Sequence, residues 1–230
     1  MEQKIRDWVA RDPLGYGYLL DFYQRGARVC WLDDGGLALK NDAMDICYAG
    51  GAVPLDVPEM RGSSLLLTDD EAAKDALLEN GDYKAWGEFY QSVWLRELPE
   101  IRLPEGASLR RLTQADLDFV VANYHNPGAF ESHIRGRIAE GMFGAEVNGE
   151  LAGFAGVHQE GAMGLLEVLP EFRRMGLAAA LEAAVIHQQV ERGRFPYGHV
   201  RVGNTASIAL KKKMGMDFLD RKVYWLLPNW

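Results

Sequence analysis

Apolar and polar positions along this chain keep two rhythms, and their order predicts its elements. In the first hundred residues, positions 2–10 and 17–24 repeat apolar side chains at helical spacing, which predicts two short helices. Residues 28–32 and 37–40 read as strands around Asp33-Asp34-Gly35-Gly36, a tight-turn sequence. Residues 44–49 continue the sheet and 64–67 form a buried strand. A helix then opens with capping-box spacing, Thr68 followed three residues later by Glu71. Residues 86–95, dense in Trp, Phe and Tyr, predict a long aromatic strand. This half is an α+β unit without a glycine-rich phosphate turn of its own.

The periodicity lapses at residues 98–106, where Pro99 and Pro104 flank polar positions, and a linker is expected there. The boundary near Pro104 divides the chain into domains at 1–103 and 104–230. Downstream, 108–112 is a strand, and Thr113 opens a helix reaching about Tyr124. A second helix covers 130–141. Residues 142–147 and 150–157 form a hairpin about Asn148-Gly149, the preferred pair for a two-residue primed turn. Strand 163–169, helix 172–191, strand 197–202, helix 204–214 and strand 218–226 complete the order. The fold class is α/β (α+β), a mixed sheet flanked by helices.

Composition narrows the function. With 48% hydrophobic and 25% charged residues among 230, the chain can bury a substantial core. Its formal charge of −8 argues against nucleic acid or an anionic membrane as main partner, since both select clustered positive charge. The first seven residues lack an apolar signal core and no stretch approaches the roughly 20 apolar residues of a membrane span, so a cytoplasmic protein is expected. Cys30 and Cys47 sit alone in apolar runs and read as reduced core residues. The five histidines show no metal-ligand spacing, and no metal is expected. His199 keeps a second reading, a catalytic base. Lys211-Lys212-Lys213 reads as a solvated helix face, and Trp86, Phe89, Tyr90 and Trp94 read as sheet packing.

The most chemical stretch is 165–178. An apolar strand ends at Pro170, which has no N–H for a ladder, and 178–184 has the strongest helix propensity in the chain. The first helical turn is therefore expected at Arg173 to Ala178. Helix-start amides lack intrahelical partners and sit at the positive end of the dipole, and Gly176 lets a ligand approach without meeting a Cβ. An anion is expected here, and a pyrophosphate fits best.

Arg173, Gly176 and Ala178 match Gln/Arg-x-x-Gly-x-Gly/Ala after a strand ending in Pro-x-Phe. With the later helix start Asn204-Thr205-Ala206-Ser207 and its end Lys213-Met214-Gly215-Met216, residues 108–226 resemble the GNAT superfamily of N-acetyltransferases. Leu169-Pro170-Glu171-Phe172-Arg173 after an α/β half is most similar to the glycine N-acyltransferase-like branch. The first half is then either a cover for the acceptor side or a degenerate half of the same fold.

The resemblance implies acetyl-CoA or another short acyl-CoA as co-substrate, without a metal. It places the pyrophosphate on the backbone of Met175, Gly176, Leu177 and Ala178, with Arg173 and Arg174 adding charge. It runs the pantetheine arm along Leu166 and Val168 by ladder bonds, beside a following strand that splays away, and gives Asn204 a contact to the arm. It further implies that an amine attacks the thioester directly, with the Val168 N–H polarising the carbonyl. Relatives carry a glutamate base at the position of Ala162 and a tyrosine acid at that of Lys211, and this chain has neither. Glu167 is the nearest carboxylate, facing the acceptor if the family's strand bulge is present, with Glu160 in reserve. Ser207 is left as donor to the departing sulfur.

The implied function is transfer of an acyl group to a primary amine of a small molecule. Plainer roles stay open: close helix packing for Gly176 and the alanines, solvated charges for Arg173 and Arg174, an ion pair for Glu167, an N-cap for Asn204. Two other functions stay open as well, a non-catalytic acyl-CoA-binding or sensing protein and a binder of another phosphate ligand such as a nucleotide.

Overall fold

The computed structural model describes residues 1–125 and 131–229. Packing divides the chain into two compact units. The first gathers Met1–Val93, Tyr197–Lys212 and the stretch from Met216 onward; the second holds Trp94–Pro196 and Lys213–Gly215.

In the first unit, α1 (Glu2–Val9) is followed by α2 (Pro13–Gln24), which starts where Asp12 accepts from the Gly15 N–H at 2.9 Å and Pro13 fixes the first turn. β1 (Arg28–Leu32) and β2 (Gly36–Asn41) flank a turn held by Asp33, whose carboxylate accepts from Gly35 and Gly36. β3 (Ile46–Gly51) and β4 (Leu65–Thr68) precede α3 (Glu71–Glu79) and β5 (Tyr83–Val93). The cap of α3 differs from the capping-box expectation. Asp70 accepts from the Ala72 and Ala73 amides, while Thr68 ends β4 and its hydroxyl instead accepts from the Asp70 N–H.

Downstream, the second unit contains β6 (Ala107–Arg111), a 3-10 turn at Gln114–Asp116, α4 (Leu117–Asn123) and α5 (Glu131–Gly141). Thr113 and Asp116 form the capping box there. Phe130, the expected start of the second helix, lies outside the described residues. β7 (Phe143–Val147) and β8 (Glu150–Val157) are joined by Asn148 (φ 52°) and Gly149 (φ 86°), the left-handed pair a primed turn demands. β9 (Met163–Val168) and α6 (Leu177–Glu191) follow. The chain then returns to the first unit with β10 (Tyr197–Arg201), most of α7 (Thr205–Met214) and β11 (Asp217–Pro228).

Two sheets result: one runs β1-β2-β3-β4-β11-β5-β10, out of sequence order, and the other β6-β7-β8-β9, in sequence order. β3 and β4 pair parallel, and the other neighbouring strands described pair antiparallel. The linear division at 103/104 therefore differs from the packing. β5 inserts between β10 and β11, so these two strands from beyond Pro104 join the first unit's sheet, while β6–β9 form the second unit's own. Among the described residues no helix is long and apolar enough to cross a membrane.

In the four-stranded sheet, Phe154 and Leu165 join Leu117 and Val120 of α4 and Ile134 and Ile138 of α5 in one buried cluster. α6 packs along β7, β8 and β9, and none of its side chains enters that cluster. Lys211 departs from the solvated face expected of it: it is 5% exposed, and its Nζ donates to Met216 Sδ at 3.9 Å.

Candidate functional site

β9 ends its sheet, and its geometry is set by one irregularity. Phe154 pairs with Glu167 and Gly156 with Gly164, so Leu165 and Leu166 together stand opposite Ala155. This is a bulge, and Leu165 carries the left-handed backbone it requires at φ 50°. β9 thus carries a strand bulge of the kind on which the expectation for Glu167 depends. Side chains alternate along a strand, so the extra residue returns Glu167 to the face of Phe154, the face covered by α4 and α5.

Beyond the bulge the ladder resumes, with the Leu169 N–H donating to the Ala152 carbonyl at 2.9 Å. Successive backbone groups point to opposite sides of a strand, so the Val168 N–H faces the open edge. The Val168 carbonyl on that same side accepts from Arg173 Nε at 2.9 Å, and Arg173 Nη2 reaches Glu167 Oε1 at 3.2 Å. One arginine thus fixes the strand end and the carboxylate together.

The turn after β9 differs from the expected helix start. Pro170–Phe172 forms a 3-10 turn, Arg173 is extended, and α6 begins at Leu177 with Gly176 as its N-cap. The reason is backbone handedness: Arg174 (φ 68°) and Gly176 (φ 93°) are both left-handed, which breaks any helix through them. The amides of this turn remain open as donors. Among the described residues no backbone acceptor takes up the N–H groups of Arg174, Met175, Gly176, Leu177 or Ala178. Residues 173–176 are exposed, and a Cβ on Gly176 would meet nothing within 4 Å. A phosphate oxygen can therefore reach these donors, and the residues present fit the pyrophosphate of a coenzyme A substrate.

Asn204 and Ser207 belong to the first unit, where Asn204 Oδ1 accepts from the Ser207 N–H at 3.1 Å and caps α7. His199, on β10, is enclosed by the rings of Tyr18, Tyr48, Tyr197 and Trp225 at 5.8, 6.3, 5.4 and 5.8 Å. Trp86 stacks on Phe89 at 5.7 Å and Trp225 at 5.2 Å, as sheet packing requires. Burial pushes the Cys30 thiol up to about 11 and raises that of buried Cys47 further, which keeps both protonated and unreactive at neutral pH.

One cluster escaped the sequence reading. His133 of α5 stacks on His158, just past β8, with ring centroids 6.0 Å apart. Burial lowers both imidazoles, His158 to about 4, with Arg137 adding to the effect. Glu160, the reserve base, is buried in the turn between β8 and β9 and favours the charged form of His133. Ala162, where relatives carry the glutamate, is 2% exposed, and its carbonyl accepts from the His158 N–H at 2.9 Å. No spacing in the sequence announces this group, because α5 and the β8–β9 turn meet only through the fold.

Comparison with known proteins bears on the fold. A family model described as FR47-like protein matches residues 141–226. A search of curated proteins returned no match. Among solved structures, a Drosophila protein is 15% identical over 98% of this chain and 94% of its own, with a TM-score of 0.68. A GCN5-related N-acetyltransferase from Kribbella flavida is 15% identical over 93% of this chain and 94% of its own, with a TM-score of 0.61. A tandem GNAT protein from the clavulanic acid biosynthesis pathway is 15% identical over 84% of this chain and 79% of its own, with a TM-score of 0.52. The chain therefore shares the mixed α/β fold of the GNAT N-acetyltransferases.

Proposed function

We propose that this protein transfers an acetyl or other short acyl group from acyl-CoA to a primary amine of a small molecule, by direct attack in a ternary complex. The observation that carries the reading is the line of backbone donors on one sheet edge, from the Val168 N–H to the amides of residues 174–178. An extended amide arm followed by a pyrophosphate matches that line in order and chemistry. In the reaction the amine gives up a proton, its lone pair forms the C–N bond, and the C–S bond breaks to leave a thiolate that takes up a proton. Glu167 is the proposed base, oriented by Arg173. The Val168 N–H is the proposed donor to the thioester oxygen. The roles of Asn204 as a contact to the arm and Ser207 as proton donor to the sulfur rest on the resemblance alone.

The finer parts of the reading are proposals too: kinship with the glycine N-acyltransferase-like branch, a first half derived from a second GNAT unit, a cytoplasmic setting, and no nucleic-acid or membrane partner. The tandem GNAT neighbour supports the second of these. A non-catalytic acyl-CoA sensor is the competing function, favoured by alanine at position 162 and by the buried Lys211.

Thiol release decides between them. Purified protein with acetyl-CoA and a broad panel of small amines is expected to release free thiol with at least one amine. Tight binding without release across the panel favours the sensor. Displacement of coenzyme A by ATP and not by 3′-dephospho-coenzyme A would overturn both. For the base, Glu167→Gln is expected to lose most of its rate, and full retention between about pH 6 and 9 rules the role out.

A further inference from the structure

The His133–His158 pair stands where β9 begins, on the face that carries Glu167. His158 lies against Gly164 so closely that a Cβ there would fall 2.7 Å from its Nε2 and 2.9 Å from its Cδ2. Gly164 is the last residue in register before the bulge. On the partner strand, a Cβ at Gly156 would fall 2.6 Å from Met142 Cγ, so this register pair has glycine on both strands and is roofed by side chains. His133 holds the imidazole from the α5 side, and α5 is anchored by Ile134 and Ile138 in the same cluster as Leu165, the left-handed residue of the bulge.

We propose that His158, braced by His133, is a positioning residue that pins the start of the β9 bulge and thereby fixes the face on which Glu167 stands. The consequence for turnover rests on the acyl-transfer reading; the prop itself does not. With the Nε2–Cδ2 edge of the imidazole set against Gly164, the strand is left one way to accommodate the extra residue, at Leu165 and Leu166. Loss of the ring frees the register, and a one-residue slip sends Glu167 to the opposite face. The prop works with both imidazoles neutral. Arg137 faces both, Glu160 and Glu140 face His133, and a proton on His158 would add a second cation beside Arg137.

Backbone amide spectra of the full chain test the prop independently of activity. His158→Ala is expected to shift the amide resonances of Leu165, Leu166 and Glu167 while those of α6 stay in place. Gly164→Ala should shift the same resonances by displacing the ring, and His158→Phe, which refills the space, should restore them at least in part. Acidifying the wild type should move these amides with a midpoint near pH 4, where His158 takes up its proton, and His158→Phe should abolish that titration. In turnover, His158→Ala should lower kcat by about tenfold or more with the acyl-CoA dissociation constant within about threefold of wild type. Unchanged amides at Leu165–Glu167 in folded Gly164→Ala and His158→Ala overturn the proposal; if His158→Ala does not fold, Gly164→Ala and the acid titration decide it. Shifted amides in a protein that turns over no amine would uphold the prop and count against acyl transfer.

Discussion

Gly176→Ala separates the cost of the cradle's backbone from its use. Gly176 caps α6 at φ 93° and ψ −4°, and an added Cβ meets no atom within 4 Å. Folding therefore bears only the left-handed strain of an L-residue, about 1–2 kcal/mol. Binding bears more, because the methyl group stands in the open space through which a phosphate oxygen approaches the amides. Losing one charge-assisted hydrogen bond removes about 1.5–3 kcal/mol, which weakens acyl-CoA by about tenfold to a hundredfold. Titration calorimetry with acetyl-CoA and with acetyl-pantetheine, which has no pyrophosphate, reads the two parts of the site separately. The first should weaken and the second should not. Arg174→Gly supplies the contrast: it relieves a left-handed residue at φ 68° and should raise stability by about 0.5–1 kcal/mol while removing one charge. Gly176→Ala protein that binds acetyl-CoA as wild type does, or that weakens acetyl-pantetheine equally, would refute the cradle.

Other outcomes follow from local structure. Asp70→Ala should cost about 1 kcal/mol in urea denaturation and Thr68→Ala less, since Asp70 makes both cap bonds to α3; the reverse order would restore the capping box. The Arg110 guanidinium holds the Asp116 carboxyl at about 2, from an ordinary 3.8, and the side chain is 11% exposed. A depressed folded pKa stabilises above the unfolded value and is lost as pH falls through the folded one, so Asp116 contributes about 2 kcal/mol at pH 7 that fades between about pH 4 and 2. Denaturation of wild type and Asp116→Asn across that window should converge; a constant gap would dismiss the ion pair as the cause.

The sequence shows its elements and hides its pairings. The hairpin at Asn148-Gly149 is legible because a primed turn needs two left-handed residues, and those residue types are visible one at a time. The insertion of β5 between β10 and β11 is not, because partners a hundred residues apart leave no period in either strand. The same limit applies at the site. Gly176 and the arginines are read from local chemistry, while the exact start of α6 depends on two left-handed residues, one of them Arg174, which has no compositional mark. The bulge at Leu165 is likewise silent, and with it the reason that Glu167 faces α4 and α5.

Under the acyl-transfer reading, the arrangement separates the proposed donor site from the proposed proton-transfer groups. Apart from Asn204 and the two arginines, the groups proposed to hold the substrate's arm and phosphates are backbone N–H groups, fixed by the end of β9, the turn and the start of α6. Substitution of a side chain leaves such donors in place unless it alters φ or adds bulk, as at Gly176. Proton transfer, by contrast, depends on individual side chains, and those are what differ at Ala162 and Lys211. Arg173 is the joint between the two: Nε binds a backbone carbonyl of β9 while Nη2 holds Glu167. Arg173→Lys keeps one charge but cannot keep both contacts in that fork geometry. It should therefore lower kcat through a misplaced Glu167 while acetyl-CoA binding falls only slightly. A variant that loses binding and keeps its turnover number would place Arg173 on the phosphates instead.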